Sequence, residues 1–230
     1  MKTIGLIGGM SWESSIEYYR IINQSVREKL GGVHSAKCVM VSVDFAEIEL
    51  LQHQGKWEET GEILIKAAIS LEKSGADFIV LCTNTMHKVA GEIQAHVQLP
   101  LLHIADATAQ RVIDSGIRKV VLLGTRFTME EDFYKGRLVQ KYDLDVLIPN
   151  PEERLIIHNV IYNELVVGRI QPQSKEQYLK IIARMVGEGA QGIILGCTEI
   201  GLLVKQSDCA VPVFDTTKIH AEAAVAFALA

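Results

Sequence analysis

Two stretches of this chain say nearly the same thing, and any fold it adopts must accommodate both. FIVLCTNTMH runs from Phe78 to His87, and IILGCTEIGL from Ile193 to Leu202. Each follows a Gly-Ala pair at the same distance, Gly75-Ala76 and Gly189-Ala190. Laid over each other, they place Cys197 on Thr83 rather than on Cys82. Two more landmarks recur in the same order. IGLIGGMS (Ile4–Ser11) matches VVLLGTRFT (Val120–Thr128) as strand, Gly corner and polar residue. LPLLHIAD (Leu99–Asp106) matches VPVFDTT (Val211–Thr217) as a proline-led short strand followed by a polar helix start. A chance strand-Gly-helix explains one match, but not a set in register. Two similar modules are the economical explanation.

The period of the apolar residues says what each module is made of. Short aliphatic runs that stop at Gly or Thr read as strands: Thr3–Ile7, Cys38–Val43, Phe78–Leu81, Leu101–Ile104, Val120–Leu123, Ile193–Leu195 and Val211–Phe214. Between them, Glu58–Lys73, Thr128–Lys141 and Pro151–Val167 carry helical periodicity. This alternation predicts an α/β fold of two pseudo-symmetric, doubly wound modules with mostly parallel sheets, and chemistry at the carboxyl ends of the strands. The landmarks place residues 1–104 plus 215–230 in the first module and residues 105–214 in a second, inserted one. Composition agrees: 48% of residues are hydrophobic but only 6% aromatic, and 18 glycines outnumber 5 prolines. That suits aliphatic strands and Gly-cornered turns.

Several function classes drop out. A net charge of −5 without a Lys/Arg run offers nucleic acid no electrostatic footing. No uncharged apolar stretch approaches the roughly 20 residues that span a bilayer, and the start MKTIGLIGGMSWESS has too short an apolar run for a signal peptide. The four cysteines form no CxxC pair. A cytoplasmic protein is expected, with neither nucleic acid nor membrane as partner. Gly5, Gly8 and Gly9 do not make a dinucleotide fingerprint, because Ile7 stands where its second glycine belongs. No His/Cys/Asp/Glu set has metal-ligand spacing, and no lysine sits in a Schiff-base context.

The repeated turns themselves carry chemistry. Thr83, Asn84 and Thr85 follow a strand and read as the N-cap and first turn of a helix, as do Cys197, Thr198 and Glu199. Helix starts favour anions, so a small carboxylate suits both turns. A thiol in that setting is expected to lose its proton more readily than a free cysteine, which makes Cys197 a candidate thiolate. Cys82 alternates into the strand interior, and Cys38 and Cys209 lack a polar turn; these three read as structural. His87, about one turn beyond Thr83, is placed either to orient that turn or to pass a proton. His103 is expected on a buried strand, and Asp215 as the N-cap of the last helix.

TNTMH and GCTEI, together with IGLIGGMSW and LLGTRFT, resemble the aspartate/glutamate racemase family over essentially the whole chain. The resemblance implies a cofactor-independent isomerase working in a cleft between two domains, probing a small amino-acid substrate, and a homodimer. In that family two cysteines, one from each domain, face the substrate's α-carbon from opposite sides. Carried over, Cys197 is one acid/base, the thiolate that takes the L-substrate's proton, and Thr83 stands where the other cysteine normally stands. Asn84, Thr85, Thr198, Glu199 and the turn Thr125–Thr128 would bind the substrate's α-carboxylate and ammonium, with Met10, Ser11 and Gln52 near its remainder. The Thr/Cys pair resembles the subgroup specific for L-aspartate and L-glutamate.

Two departures stand out. An aliphatic hydroxyl does not ionise near neutral pH, so Thr83 can donate or relay a proton but cannot serve as the base. The region Val43–Glu47 also lacks the arginine that the aspartate branch uses for the distal carboxylate, which leaves His53, Gln52 and Lys205 as stand-ins. Two alternatives therefore compete with racemisation: a single-cysteine decarboxylase or isomerase of the same superfamily, and a non-catalytic protein that binds small carboxylates.

Overall fold

A run as short and uniformly apolar as Phe78–Leu81 has no polar face, so it must be covered on both sides. In the computed structural model, which describes residues 1–230, it is the buried heart of one of two units. One unit comprises Met1–Ile104 and His220–Ala230, the other Ala105–Ile219.

In the first unit, β1 (Ile4–Gly8), α1 (Trp12–Leu30), β2 (Cys38–Ser42), α2 (Phe45–His53), α3 (Trp57–Lys73) and β3 (Phe78–Leu81) lead into a 3-10 turn at Thr85–Val89. α4 (Ala90–His96) and β4 (Leu101–Leu102) follow. The strands lie in the order β2-β1-β3-β4 and every pairing is parallel. β4 is shorter than the predicted Leu101–Ile104, because Ile104 already opens α5 (Ile104–Asp114).

The second unit continues with β5 (Lys119–Gly124), α6 (Arg126–Glu130), α7 (Lys135–Tyr142), β6 (Asp145–Leu147), α8 (Pro151–Asn163) and α9 (Pro172–Gly187). β7 (Gly192–Gly196), α10 (Ile200–Leu203) and β8 (Val213–Asp215) complete it, and α11 (Thr216–Leu229) starts in this unit and belongs to the first from His220 onward. Its order, β6-β5-β7-β8, is that of the first sheet, again all parallel. Strand β6 escapes sequence reading because it has three residues, of which Asp145 is exposed. The predicted helix Thr128–Lys141 is broken between Glu130 and Lys135. Met129, Tyr134 and Leu138 are all buried, and the five-residue step from 129 to 134 does not fit one helical face. The break lets each side chain reach the core. α8 starts on a capping box, with Asn150 accepting from the Glu153 amide (2.9 Å) and Pro151 in the first turn.

Side-chain alternation sorts β3 between two cores. Phe78, Val80 and Cys82 pack with Ile4, Leu6, Tyr18, Ile22 and the Ala221–Ala228 face of α11. Ile79 and Leu81 pack with Leu64, Ala67, Ala68 and Leu71 of α3. The step of three and four along α3 is what presents those side chains together. Each fully buried Leu, Ile or Val among these contributes roughly 1.5–3 kcal/mol.

Hydrogen bonds repeat between the units at matching positions. The Ile79 amide donates to the Pro100 carbonyl (2.9 Å), and the Ile193 amide to the Pro212 carbonyl (2.9 Å). Asp77 donates to Thr3 (2.9 Å) and Gln191 to Lys119 (2.8 Å). Gly75 and Gly189, the glycines of the two Gly-Ala pairs, both adopt positive φ, 79° and 97°. With Ile79 matched to Ile193 and Leu81 to Leu195, Thr83 is the counterpart of Cys197.

The first unit also buries a histidine that must stay neutral. Tyr18 donates its hydroxyl to His220 Nδ1 (2.8 Å), so Nε2 carries the proton that meets the Leu102 carbonyl (2.8 Å). Burial lowers the His220 pKa from 6.5 to about 4. Below 6.5 the unfolded chain takes up a proton that the folded state refuses. Stability is therefore whole above pH 6.5 and lost as pH falls through about 4, roughly 3 kcal/mol in all. Urea midpoints followed from about pH 7 down to about 4 should fall less steeply in His220→Gln. An unchanged slope would place the acid sensitivity elsewhere.

Candidate functional site

In the first unit the residues past β1 and β3 meet because those strands are neighbours. Ile7 pairs with Leu81, and Cys82 donates to the Ile7 carbonyl (2.9 Å). Beyond β1 the chain turns through Gly9 at φ 97°, where a Cβ would stand 2.1 Å from the Val43 carbonyl oxygen; only glycine fits. Met10 and Ser11 follow, joined by a cis peptide bond. The Ser11 carbonyl accepts from the hydroxyls of Ser14 (3.0 Å) and Ser15 (2.9 Å), and Ser15 Oγ accepts from the Gly9 amide (2.8 Å).

Past β3, Thr83 donates its amide to Leu81 (2.8 Å) in a tight turn. Asn84 precedes the 3-10 turn without a side-chain cap, unlike the N-cap the sequence suggests. Gln52, near the end of α2, donates from Nε2 to Met86 Sδ (3.0 Å), which brings it to the same turn. Met10, Ser11, Gln52, Thr83, Asn84 and Thr85 are all buried.

His87 stands behind Thr83. Its Nδ1 lies 2.7 Å from the Thr83 carbonyl oxygen, and its Nε2 accepts from the Ile104 amide (3.1 Å). His103 lies just beyond β4 rather than on a strand, half-buried, with its ring centroid 4.5 Å from that of His87.

The second unit brings Thr125 and Cys197 side by side, because Gly124 and Gly196 pair as the last residues of β5 and β7. Both glycines are required. A Cβ on Gly124 would lie 2.7 Å from the Gly196 carbonyl oxygen, and one on Gly196 would lie 2.9 Å from that of Leu123. Thr125 caps α6 by accepting from the Thr128 amide (3.3 Å), and the two threonine hydroxyls are 3.2 Å apart. Thr216 donates to the Leu195 carbonyl (2.7 Å) and Thr217 to that of Thr198 (3.4 Å). Asp215 caps α11 through the amides of Thr217 (3.0 Å) and Lys218 (3.2 Å).

Cys197 departs from its expected state. Its thiol donates to Glu199 Oε2 (2.9 Å), which also accepts from the Thr198 hydroxyl (2.7 Å). Burial raises the Cys197 pKa well above its ordinary value, and the Glu199 carboxylate raises it further by charge and by holding the proton. The amides of Glu199 and Ile200 pull the other way but are outweighed. The resting group is thus a protonated thiol, not the thiolate the sequence suggests. A four-residue α10 supplies too few aligned peptides for a helix dipole to reverse this. The first repeated turn opens a 3-10 turn, Thr85–Val89, before α4 begins at Ala90.

Glu199 is therefore turned onto Cys197. Tyr178, which sequence reading missed, is buried in the same cluster; burial raises its pKa well above the ordinary tyrosine value, and a charge on Cys197 would raise it further. Nothing in the sequence marks Tyr178 beyond its place on an apolar helical face. Cys82 is fully buried in strand register and burial holds its thiol protonated, while Cys38 and Cys209 are half-buried with pKa values raised mainly by burial. Of the stand-ins for a distal group, His53 is exposed and paired with Glu49 (3.4 Å), and the exposed Lys205 donates to the Gly201 carbonyl. Only Gln52 reaches the turn.

Comparison with known proteins completes the description. The profile of the Asp/Glu/Hydantoin racemase family matches residues 7–224. The broad specificity amino-acid racemase RacX of Bacillus subtilis (strain 168) is 29% identical over 180 residues, which cover 75% of this chain and 74% of RacX. Among solved structures, a Yersinia pestis protein provisionally named an Asp/Glu racemase superposes with a TM-score of 0.93 at 55% identity over all of both chains. An aspartate racemase homologue from Pyrococcus horikoshii OT3 gives 0.86 at 38% identity, again over all of both chains.

Proposed function

The chain belongs to the Asp/Glu/Hydantoin racemase family, and from that premise we propose that it inverts an acidic amino acid at the α-carbon. Cys197 removes the proton from the L-form, and Thr83 protonates the opposite face. The observation that supports this assignment is the positional equivalence of Thr83 and Cys197 in two sheets of the same strand order. Groups that act on opposite faces of one carbon must come from opposite sides. Each unit carries one such candidate group just past the end of its own central strand.

The proton inventory follows from the resting thiol. As substrate binds, the Cys197 proton moves to Glu199 Oε2, to which it is already hydrogen-bonded. The thiolate then takes the α-proton and becomes a thiol again. Thr83 gives its hydroxyl proton to the other face and recovers one from water in the same step, since a free alkoxide is too basic to persist. The proton left on Glu199 balances the one drawn from water. The hydroxyls of Thr85, Thr125, Thr128 and Thr198, with the amide of Asn84, are the groups for the α-carboxylate and ammonium. Met10, Ser11 and Gln52 face the substrate's remainder. No electron sink beyond the substrate's own carboxylate is invoked, so the scheme uses no cofactor.

A proton-NMR time course of L- and D-amino acids in deuterated buffer tests the proposal. The panel includes neutral side chains, because the B. subtilis relative has broad specificity. The α-proton signal of an acidic L-amino acid should vanish first, with slower inversion and slower exchange from the D-form. Since enantiomers have equal free energy, kcat/KM must come out equal in the two directions. Carbon dioxide release would replace racemisation by decarboxylation. Calorimetric binding without any exchange would make the protein a carboxylate sensor.

A further inference from the structure

Both ring nitrogens of His87 meet backbone groups. The Ile104 amide can only donate, so Nε2 must offer it a lone pair (3.1 Å). That fixes the proton on Nδ1, which donates to the Thr83 carbonyl (2.7 Å). The Ile104 amide is one of the orphan donors at the start of α5, and the ring nitrogen satisfies it. The Thr83 carbonyl lies beyond the last β1–β3 pair, Ile7 with Leu81, where the sheet ladder no longer takes it up.

The ring itself is fixed. The His103 ring packs at 4.5 Å and the His220 ring edge-on at 5.9 Å, and His220 is held by Tyr18 and Leu102. A proton shuttle needs one ring nitrogen free to receive a proton and the other able to pass one on. Here each nitrogen faces a peptide group that cannot exchange roles.

We propose that His87 is a positioning residue for Thr83: it clamps the Thr83 carbonyl to the start of α5 and does not carry the substrate's proton. This rests on the assignment of Thr83 as the opposite-face donor. A backbone displacement of about 1 Å costs on the order of 100-fold in such chemistry. A clamp on the peptide that bears the hydroxyl is thus worth having.

Two substitutions separate the clamp's halves. His87→Asn keeps a donor where Nδ1 stood and loses the acceptor for Ile104. His87→Gln keeps an acceptor near Nε2 and loses the donor to Thr83. Exchange and inversion at the face served by Thr83 should fall about 100-fold in His87→Gln with KM little changed, and remain within about fivefold in His87→Asn. Thermal midpoints should drop alike in both, so that stability cannot account for the contrast. Loss in both variants with recovery on adding imidazole would establish a relay and overturn the clamp. Equal activity of both variants and the unmodified protein would overturn it too. The imidazole nitrogen-15 spectrum gives a reading independent of turnover: Nδ1–H is expected for His87, and Nε2–H would refute the clamp. If the unmodified protein exchanges no α-proton, the racemase proposal fails while that spectrum still judges the clamp.

Discussion

Cys197→Ser is expected to abolish α-proton exchange from the L-enantiomer, lowering it by at least about 10³-fold, within the range for removing a general acid/base. The serine hydroxyl can take the same hydrogen bond to Glu199, so folding and ligand affinity should survive. A hydroxyl, however, gives up its proton far less readily than a thiol. Cys82→Ser is the control. Cys82 lies in the same run as Thr83 but packs against Tyr18, Ile22 and α11 on the other face of the sheet. Its serine variant should be destabilised by about 1–3 kcal/mol, because a hydroxyl is buried where a thiol was. Its turnover should stay within about twofold of the unmodified protein. Exchange rates by NMR, beside thermal melts of both variants, decide the matter. A folded, inactive Cys82→Ser would shift the reacting position by one residue, against the hydrogen-bond match of Ile79 with Ile193.

That match was legible in the sequence because both units end their central strand in the same way. Gly-Ala, an aliphatic run and a polar turn are short-range signals, and parallel strands buried on both faces leave them uninterrupted. The resting state of Cys197 was not legible. Thr198-Glu199 reads as a polar helix start, yet the Glu199 side chain folds back onto the thiol and α10 lasts one turn. Both facts depend on side-chain direction and on where the chain goes after Leu203. His87 shows the same limit: spacing brought it near Thr83, but its second partner, Ile104, is 17 residues away and set by the end of β4. The break between α6 and α7 was encoded in the spacing of Met129, Tyr134 and Leu138. It could be recognised only once all three were known to be buried.

Glu199→Gln should move two measurable properties of one sulfur in opposite directions. In the resting protein Glu199 raises the Cys197 pKa by its charge and by accepting the thiol's proton. Removing the charge lowers that pKa, so alkylation of Cys197 by iodoacetamide at neutral pH should become several-fold to about tenfold faster, because only the thiolate reacts. Racemisation should fall about 100-fold, since the amide cannot receive the proton that the thiol must give up before attacking Cα–H. In the unmodified protein the alkylation rate should keep rising with pH through about 9 without a plateau, as burial and Glu199 together require. Mapping the alkylated peptide separates the buried Cys197 from the half-buried thiols of Cys38 and Cys209. A carboxylate that only bound the substrate's ammonium group would behave differently. Its loss would raise KM and leave kcat nearly intact, and the Sγ–Oε2 hydrogen bond in the free protein would be incidental to turnover. A plateau in alkylation near neutral pH would show a resting thiolate after all. Faster alkylation joined to slower turnover has one explanation among these: the carboxylate that keeps the thiol protonated at rest is also the group that takes its proton when the substrate arrives.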